Sequence, residues 1–399
     1  MLSPSYLDHV ADELVALYDD LQNSIIEDMI RRVIRMGEVS ETTNYQMERL
    51  RETGALYNHV IRTIARATKQ SEEVLREVFK DAAEESLAFD DALYRKAGFA
   101  PTPIGQSRAL RQILEAGLFK TKGKLKNLTL TTAAATQRTF IQMTDLAYMQ
   151  VSTGAMSYTQ AIRDATKRIA KRGLDVIAYD TGHRERIDVA VRRAVLTGVN
   201  QTAAELQLER MNELGCDLLE TSAHMGARPS HSDWQGQVFS RSGRHPRYPD
   251  FVSSTGYGNV DGLCGVNCRH SFFPFIEGVS EPNYTAKQLK AMEEREVEYN
   301  GEKMTYYEAT QKQRRLERSI RATKREWTAA SAAKSATDES GLKNAMQDDV
   351  RRISRTLNAQ QNKMADFLDQ TGLNRQRDRE QVVGFGRSEA QRARQTGRG

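Results

Sequence analysis

Apolar residues along most of this chain recur at three- and four-residue steps, the spacing that lines one face of an α-helix. From Pro4 to Met36 the positions Leu7, Val10, Leu14, Leu17, Leu21 and Ile25 fall on one stripe, predicting a long amphipathic helix that ends before Gly37. A second helix is predicted from Glu41 to Thr68. A third starts at Ser71, whose hydroxyl can cap free amides ahead of Glu72 and Glu73 and of the apolar face Val74, Leu75, Val78, Phe79 and Ala82. Pro101 and Pro103, near Gly98 and Gly105, mark an elbow. Helical spacing resumes from Ser107 to Phe119, pauses at Lys122-Gly123-Lys124 and continues from Leu130 to Val151. Ser157 and Gln160 are spaced as a capping box, followed by the face Ala161, Ile162, Ala165 and Ile169 and a left-handed stop at Gly173. Another helix is expected from Arg184 to Leu214, with Ile187, Val191, Ala194, Val195 and Val199 inward.

The period then changes. Leu218, Leu219 and Thr221, Val238 and Phe239, and Ser271 to Phe275 read as short strands joined by loops, because Pro229, Pro246, Pro249, Pro274 and Pro282 supply five of the eight prolines. Helix returns over Thr285 to Glu298, Tyr306 to Ala333 and Leu342 to Leu368. The expected fold class is mainly α: long helices with a small α+β module near residues 216–282. Five consecutive segments are expected: an N-terminal helical region 1–100, a central helical region 104–215, the module 216–282, a C-terminal helical region 285–370 and a flexible Arg-rich tail 371–399.

Composition narrows the class. No run approaches the roughly 18 apolar residues that span a bilayer, and the opening text is polar and acidic, so neither secretion nor membrane insertion is expected. Three cysteines in 399 residues make no disulfide framework, which points to synthesis in a reducing cytoplasm. The net charge of +5 is unevenly spread. Residues 1–30 carry seven Asp and Glu and no Lys or Arg, a segment able to dock on a basic partner. Arg314, Arg315, Arg318, Arg321, Lys324 and Arg325 form a basic stretch that suits either a solvated helix face or contact with nucleic-acid phosphate or an acidic partner. After Thr371 the many arginines and few apolar residues predict a flexible end that orders on a partner.

The module concentrates the rare chemistry. It holds His224, His231, His245 and His270 of the seven histidines, Cys264 and Cys268 of the three cysteines, and Trp234 of the two tryptophans. Cys264 and Cys268 with nearby His270, and His231, His224 or His245 from the loops as a fourth ligand, could bind zinc through mixed sulfur and nitrogen, although three residues between the cysteines depart from the usual C-x2-C knuckle. Otherwise no cofactor is expected. Two enzymatic readings also stand. In one, Cys268 is a thiolate activated by His231 or His270 with Asp233 or Asp250 orienting the base; in the other, His224 and His231 are acid and base of a nuclease with Arg228 or Arg269 stabilising charge. The simpler reading makes His224, Arg228, His231, Trp234, Tyr257, Asn267, Cys268, Arg269 and His270 a network that satisfies buried loop backbone. Thr255-Gly256-Tyr257-Gly258 lacks the helix-opening element of a phosphate-binding loop, so no nucleotide site is read there.

Taken in order, several motifs resemble one family. They are His224-Met-Gly-Ala-Arg-Pro-Ser-His231, Trp234-Gln-Gly236, Tyr248 with Phe251, Thr255-Gly-Tyr-Gly258, Gly262-Leu-Cys-Gly-Val-Asn-Cys-Arg-His270 and Pro274-Phe275 with Gly278. The opening Leu2 to Leu7, Asn127 to Thr129, Ala190 to Gln201 and Gln313 to Arg321 extend the likeness nearly end to end. The chain resembles the phage minor capsid protein 2 family, related to head morphogenesis proteins named after the F protein of phage Mu. That resemblance implies a low-copy, non-enzymatic structural protein of a tailed bacteriophage with a Gram-positive host. It implies incorporation into the procapsid near the portal, other head proteins and the portal as partners, and a part in head assembly and DNA delivery. DNA contact would be sequence-independent, and neither a membrane nor a small-molecule substrate is implied. The resemblance transfers no catalytic residue.

Overall fold

A computed structural model describes residues 1–36, 42–172, 175–178 and 184–398; the helix stops expected at Gly37 and Gly173 lie outside the described residues. The chain is mainly α, with a few short antiparallel strand pairs. In order, the elements are α1 (Pro4–His9), α2 (Asp12–Met36), α3 (Thr42–Lys96), α4 (Arg108–Ser152), α5 (Tyr158–Arg172), β1 (Asp175–Ala178), β2 (Arg184–Arg186) and α6 (Ile187–Glu213). Then come β3 (Leu218–Thr221), α7 (Pro229–Ser232), β4 (Val238–Ser240), α8 (Phe251–Thr255), β5 (Phe272–Pro274), α9 (Ala286–Glu293), β6 (Glu296–Tyr299) and β7 (Glu302–Thr305). The chain ends with α10 (Tyr306–Ala336), α11 (Ser340–Thr371), a 3-10 turn (Arg377–Glu380) and α12 (Arg387–Arg398).

The helices are longer than local text predicts. No new helix starts at Ser71: it is buried in the middle of α3, where the positions Leu56, Val60, Ala67, Ser71, Leu75 and Phe79 form one continuous buried stripe. Neither Gly nor Pro interrupts residues 68–71, so continuing the backbone ladder outweighs the local cap. Gly123 likewise sits inside α4, where buried Thr121, Leu125 and Leu128 carry the stripe past it. The opening helix, by contrast, breaks at Val10 and Ala11 into α1 and α2. At α5 the expected box is present: the Gln160 amide donates to Ser157 Oγ at 3.3 Å and the Ser157 amide to Gln160 Oε1 at 3.1 Å.

Two further segments depart from expectation. Helix α9 stops at Glu293, and Glu296 to Tyr299 pairs with Glu302 to Thr305 around Asn300-Gly301, both in left-handed conformation. Asn-Gly between two strands is a strong hairpin signal, so this turn was legible in the sequence and was outweighed by helical spacing. Beyond Thr371, Leu373, Val382, Phe385 and Ala393 are buried where a flexible tail was expected. The arginine count obscured the fact that α10 and α11 supply an apolar surface of Ile320, Trp327, Val350, Ile353 and Leu357 for these residues. Arg375 pairs with Glu380 at 2.7 Å, Arg392 with Glu389 at 2.5 Å, and the Trp327 indole donates to Ser354 Oγ at 3.0 Å.

Where consecutive blocks were expected, the chain divides into two compact units, each assembled from three separated stretches. The first comprises Met1–Leu14, Ser71–Leu125 and Val191–Gln311. Within it, α4 and α6 approach closely through reciprocal glycine–threonine contacts: a Cβ on Gly117 would lie 2.0 Å from Thr202 Oγ1, and one on Gly198 2.2 Å from Thr121 Oγ1. Arg210, fully buried on α6, donates to Thr102 O at 2.6 Å and Glu213 at 2.7 Å, holding the proline elbow.

The second unit comprises Val15–Gln70, Lys126–Ala190 and Lys312–Gly399. Its interior contains charge. Arg325 contacts Asp19 at 2.6 Å and Asp188 at 3.0 Å, and Arg321 reaches the same Asp188 oxygen at 2.9 Å. Burial alone would raise the Asp188 carboxyl, yet Arg325, Arg321 and Arg186 hold it well below the usual carboxylate range. Burial, with Arg325 alongside, lowers the Arg186 guanidinium to about 10.

Asp188→Asn leaves Arg325 and Arg321 without their shared anion and is expected to cost about 3–5 kcal/mol in denaturant unfolding. Because its folded-state pKa is depressed, the wild-type contribution is fully present above the ordinary carboxylate value of about 3.9 and is lost as pH falls through the folded value. The Asp188→Asn variant should lack that part of the acid sensitivity. Separately, Gly198→Ala is expected to destabilise by about 1–3 kcal/mol through overpacking against Thr121, despite alanine's better helix propensity. Adding Thr121→Ala should recover most of the loss; an additive double mutant would show that the two residues do not clash.

Candidate functional site

The module between residues 216 and 282 is built on a three-stranded antiparallel sheet in the order β4-β3-β5, with Leu219 opposite both Phe239 and Pro274. The central strand β3 is buried throughout, and its Glu220 carboxylate accepts from the Asn283 amide at 2.8 Å and side chain at 3.0 Å. Burial is the largest influence on that carboxyl and raises it. Leu219, Trp234, Phe239, Phe251, Leu263, Cys264 and Phe272 form the core, with Tyr257 packed against it.

Little of this module is regular, so side chains hold its backbone. Asn200 on α6 donates through Nδ2 to Cys268 O at 3.1 Å and His270 O at 3.0 Å. The Asn267 amide donates to Thr197 Oγ1 at 3.4 Å, one helical turn from Asn200. Arg228, just before α7, donates to Val266 O at 2.7 Å, and Arg269 pairs with Asp8 at 2.9 Å. Cys264 and Asn267 both adopt left-handed φ values of 57°. Non-glycine residues there carry strain, which this hydrogen-bonded frame sustains. The loop before them is equally tight: a Cβ on Gly262 would lie 2.0 Å from Gly256 O.

Three side chains converge inside this frame. His231 Nδ1 lies 3.4 Å from His270 Nδ1, and Cys268 Sγ lies 3.9 Å and 3.6 Å from the two nitrogens. All three residues are buried. The opposite ring nitrogens are engaged too: His231 Nε2 is 2.7 Å from Asp261 O, and His270 Nε2 is 3.2 Å from Gln235 Oε1. His224 stacks on His270 with centroids 4.3 Å apart, and Trp234 packs against both His231 and His270. Burial lowers the affinity of all three imidazoles for a proton, most strongly at His270, where His224 and His231 add to the effect.

Cys264, grouped with these residues in the zinc reading, lies outside the cluster: its thiol donates to His270 O at 3.7 Å and sits in the apolar core. Burial raises both thiols, which argues against a reactive thiolate. The carboxylates assigned to orient a catalytic histidine are elsewhere. Asp250 caps α8 by accepting from the Ser253 amide at 2.7 Å, and His231 meets a backbone carbonyl instead. His245 lies apart, beside Tyr248 and Glu277. Asn200, Gln235 and Thr197 were missed as site residues; Gln235 stands inside the Trp234-Gln-Gly236 motif, but Asn200 and Thr197 carry no local signal on their helix.

The basic stretch on α10 changes meaning. Arg321 and Arg325 belong to the interior ion cluster, and Lys324 donates to Glu380 O at 2.6 Å. Arg315 and Arg318 are exposed, and Arg314 is half-buried. A helix face was read as outward because sequence alone does not show which acids fold against it. The acidic opening segment is likewise partly committed: Asp8 pairs with Arg269, Asp12 with Arg192 at 2.6 Å, and Asp19 with Arg325.

The sequence profile of the family described as Phage minor capsid protein 2 matches residues 2–369, and the chain belongs to that family. A curated relative named "Structural protein", from Lactococcus phage LL-H, is 24% identical over 307 residues, covering 73% of this chain and 79% of its own length. Another of the same name, from Lactococcus phage mv4, is 36% identical over 86 residues, covering 22% of this chain and 60% of its own. Both phages are named for a Gram-positive genus, in keeping with the expected host type. No solved structure shows a significant match. Among the described residues, no helix is long and apolar enough to cross a membrane.

Asn200→Ala removes the donor shared by Cys268 O and His270 O and is expected to cost about 1–3 kcal/mol, read by denaturant unfolding. A variant as stable as wild type would show that the loop does not depend on this contact.

Proposed function

We propose that this protein joins the phage head during procapsid assembly as a minor, non-enzymatic component beside the portal, assists head morphogenesis and takes part in DNA delivery. The observation that carries the reading is the family match over residues 2–369. A second feature supports contact with other head proteins. On α3, Met47, Leu50, Tyr57 and Ile61 are 42–69% exposed at steps of three, seven and four residues, and a Cβ on Gly54, between Leu50 and Tyr57, would meet open space. This heptad-like apolar seam suits an apolar helix of a neighbouring head protein. The committed arginines and raised thiols support a structural role over a nuclease or cysteine enzyme. Contact with packaged DNA is assigned to exposed Arg315 and Arg318 and would be independent of base sequence, because charge on phosphate carries no sequence information.

Quantitative mass spectrometry of purified particles, before and after triggered DNA ejection, tests the placement. The protein should be present at low copy in intact particles and reduced after ejection; absence from intact particles overturns the head assignment, and full retention overturns the part in delivery. Leu50→Lys combined with Ile61→Lys should lower incorporation while the isolated chain melts as wild type, because both positions are exposed. Normal incorporation of that variant would remove the seam as the contact surface.

A further inference from the structure

We propose that His231 Nδ1, Cys268 Sγ and His270 Nδ1 bind one zinc ion that ties the histidine segment around α7 to the Cys268–His270 loop. The first argument is spacing. With zinc–nitrogen and zinc–sulfur bonds of about 2.0–2.1 and 2.3 Å, a tetrahedral site separates two nitrogens by about 3.3 Å and nitrogen from sulfur by about 3.6 Å. The observed separations are 3.4 Å for the nitrogen pair and 3.6 and 3.9 Å for the two nitrogen–sulfur pairs.

Tautomer chemistry gives a second argument. Asp261 O is a carbonyl and can only accept, so the 2.7 Å contact places a proton on His231 Nε2. Gln235 Oε1 also accepts from the His224 backbone amide at 3.2 Å, which identifies that atom as the carboxamide oxygen and places a proton on His270 Nε2. In the neutral rings both Nδ1 atoms then carry lone pairs aimed into the same buried space. The single thiol proton of Cys268 can serve only one of them. A cation bound by the thiolate satisfies all three atoms, and the Nε2–H bonds to Asp261 O and Gln235 Oε1 supply the outer support typical of zinc-bound histidine. The His270 amide also donates to Cys268 Sγ at 3.4 Å, which favours thiolate charge on that sulfur.

The three ligands leave a fourth position for a water molecule. Mixed imidazole and thiolate donors favour zinc over magnesium or calcium. Burial of all three ligands assigns the ion to holding the loop together. The site goes beyond the capsid assignment and does not depend on it.

The test is elemental analysis of the full-length chain made without a polyhistidine tag, paired with cobalt(II) titration after metal removal. Close to one zinc per chain and a sulfur-to-cobalt charge-transfer band are expected, and chelation should lower the melting temperature. Cys264→Ala should keep the metal and the band, whereas Cys268→Ala should lose the band even where residual cobalt binds through the histidines. Less than about a tenth of an equivalent of zinc, with no charge-transfer band on adding cobalt, would overturn the site. Loss of the band in Cys264→Ala with retention in Cys268→Ala would overturn the ligand assignment.

Discussion

Buried backbone that is not helix or strand must still be hydrogen-bonded, and the module at residues 216–282 is organised by that constraint. Its short strands β3, β4 and β5 satisfy only part of the chain. Backbone turns and the side chains of Asn200, Arg228 and Thr221, which bond to carbonyls in the intervening loops, satisfy more of it. Around the left-handed Cys264 and Asn267, Gly265 O accepts from the Cys268 amide, Val266 O from Arg228 and Cys268 O from Asn200. With the loop held in this way, His231, Cys268 and His270 come together inside it.

Charge plays a similar part in the second unit. A carboxylate such as Asp188 would be costly in an apolar interior, yet Arg325 and Arg321 surround it with donors. The acidic opening of the chain and the basic stretch of α10 therefore look, one at a time, like surfaces for partners of opposite sign. In the fold, Asp19 and Arg325 answer each other. The charge left outside, at Arg315 and Arg318, is a smaller resource than the basic run suggested, and the α3 seam of Met47, Leu50, Tyr57 and Ile61 is the more distinctive exposed feature.

How far the site could be read in advance differs from residue to residue. His231, Cys268 and His270 stood out by rarity and by motif, and the short strands beneath them followed from apolar runs bounded by proline. Cys264 had equal claim by spacing, but its left-handed backbone sends the thiol into the apolar core. Thr197 and Asn200 could not be found from spacing, because one polar residue on a helix gives no sign of the loop it will meet some seventy residues later.

Local spacing and motifs in fixed order were enough to establish the helical character, the position of the small mixed module, the capping box at Ser157 and the family. It took the folded chain to show that Ser71 and Gly123 lie inside long helices and that the arginine-rich end packs through Leu373, Val382 and Phe385. The same holds for which charges face inward. The reason is common to each case: hydrogen-bond ladders and periodic faces are written between near neighbours, whereas burial and ion pairing depend on which distant surface arrives, and no stretch of the chain carries that information alone.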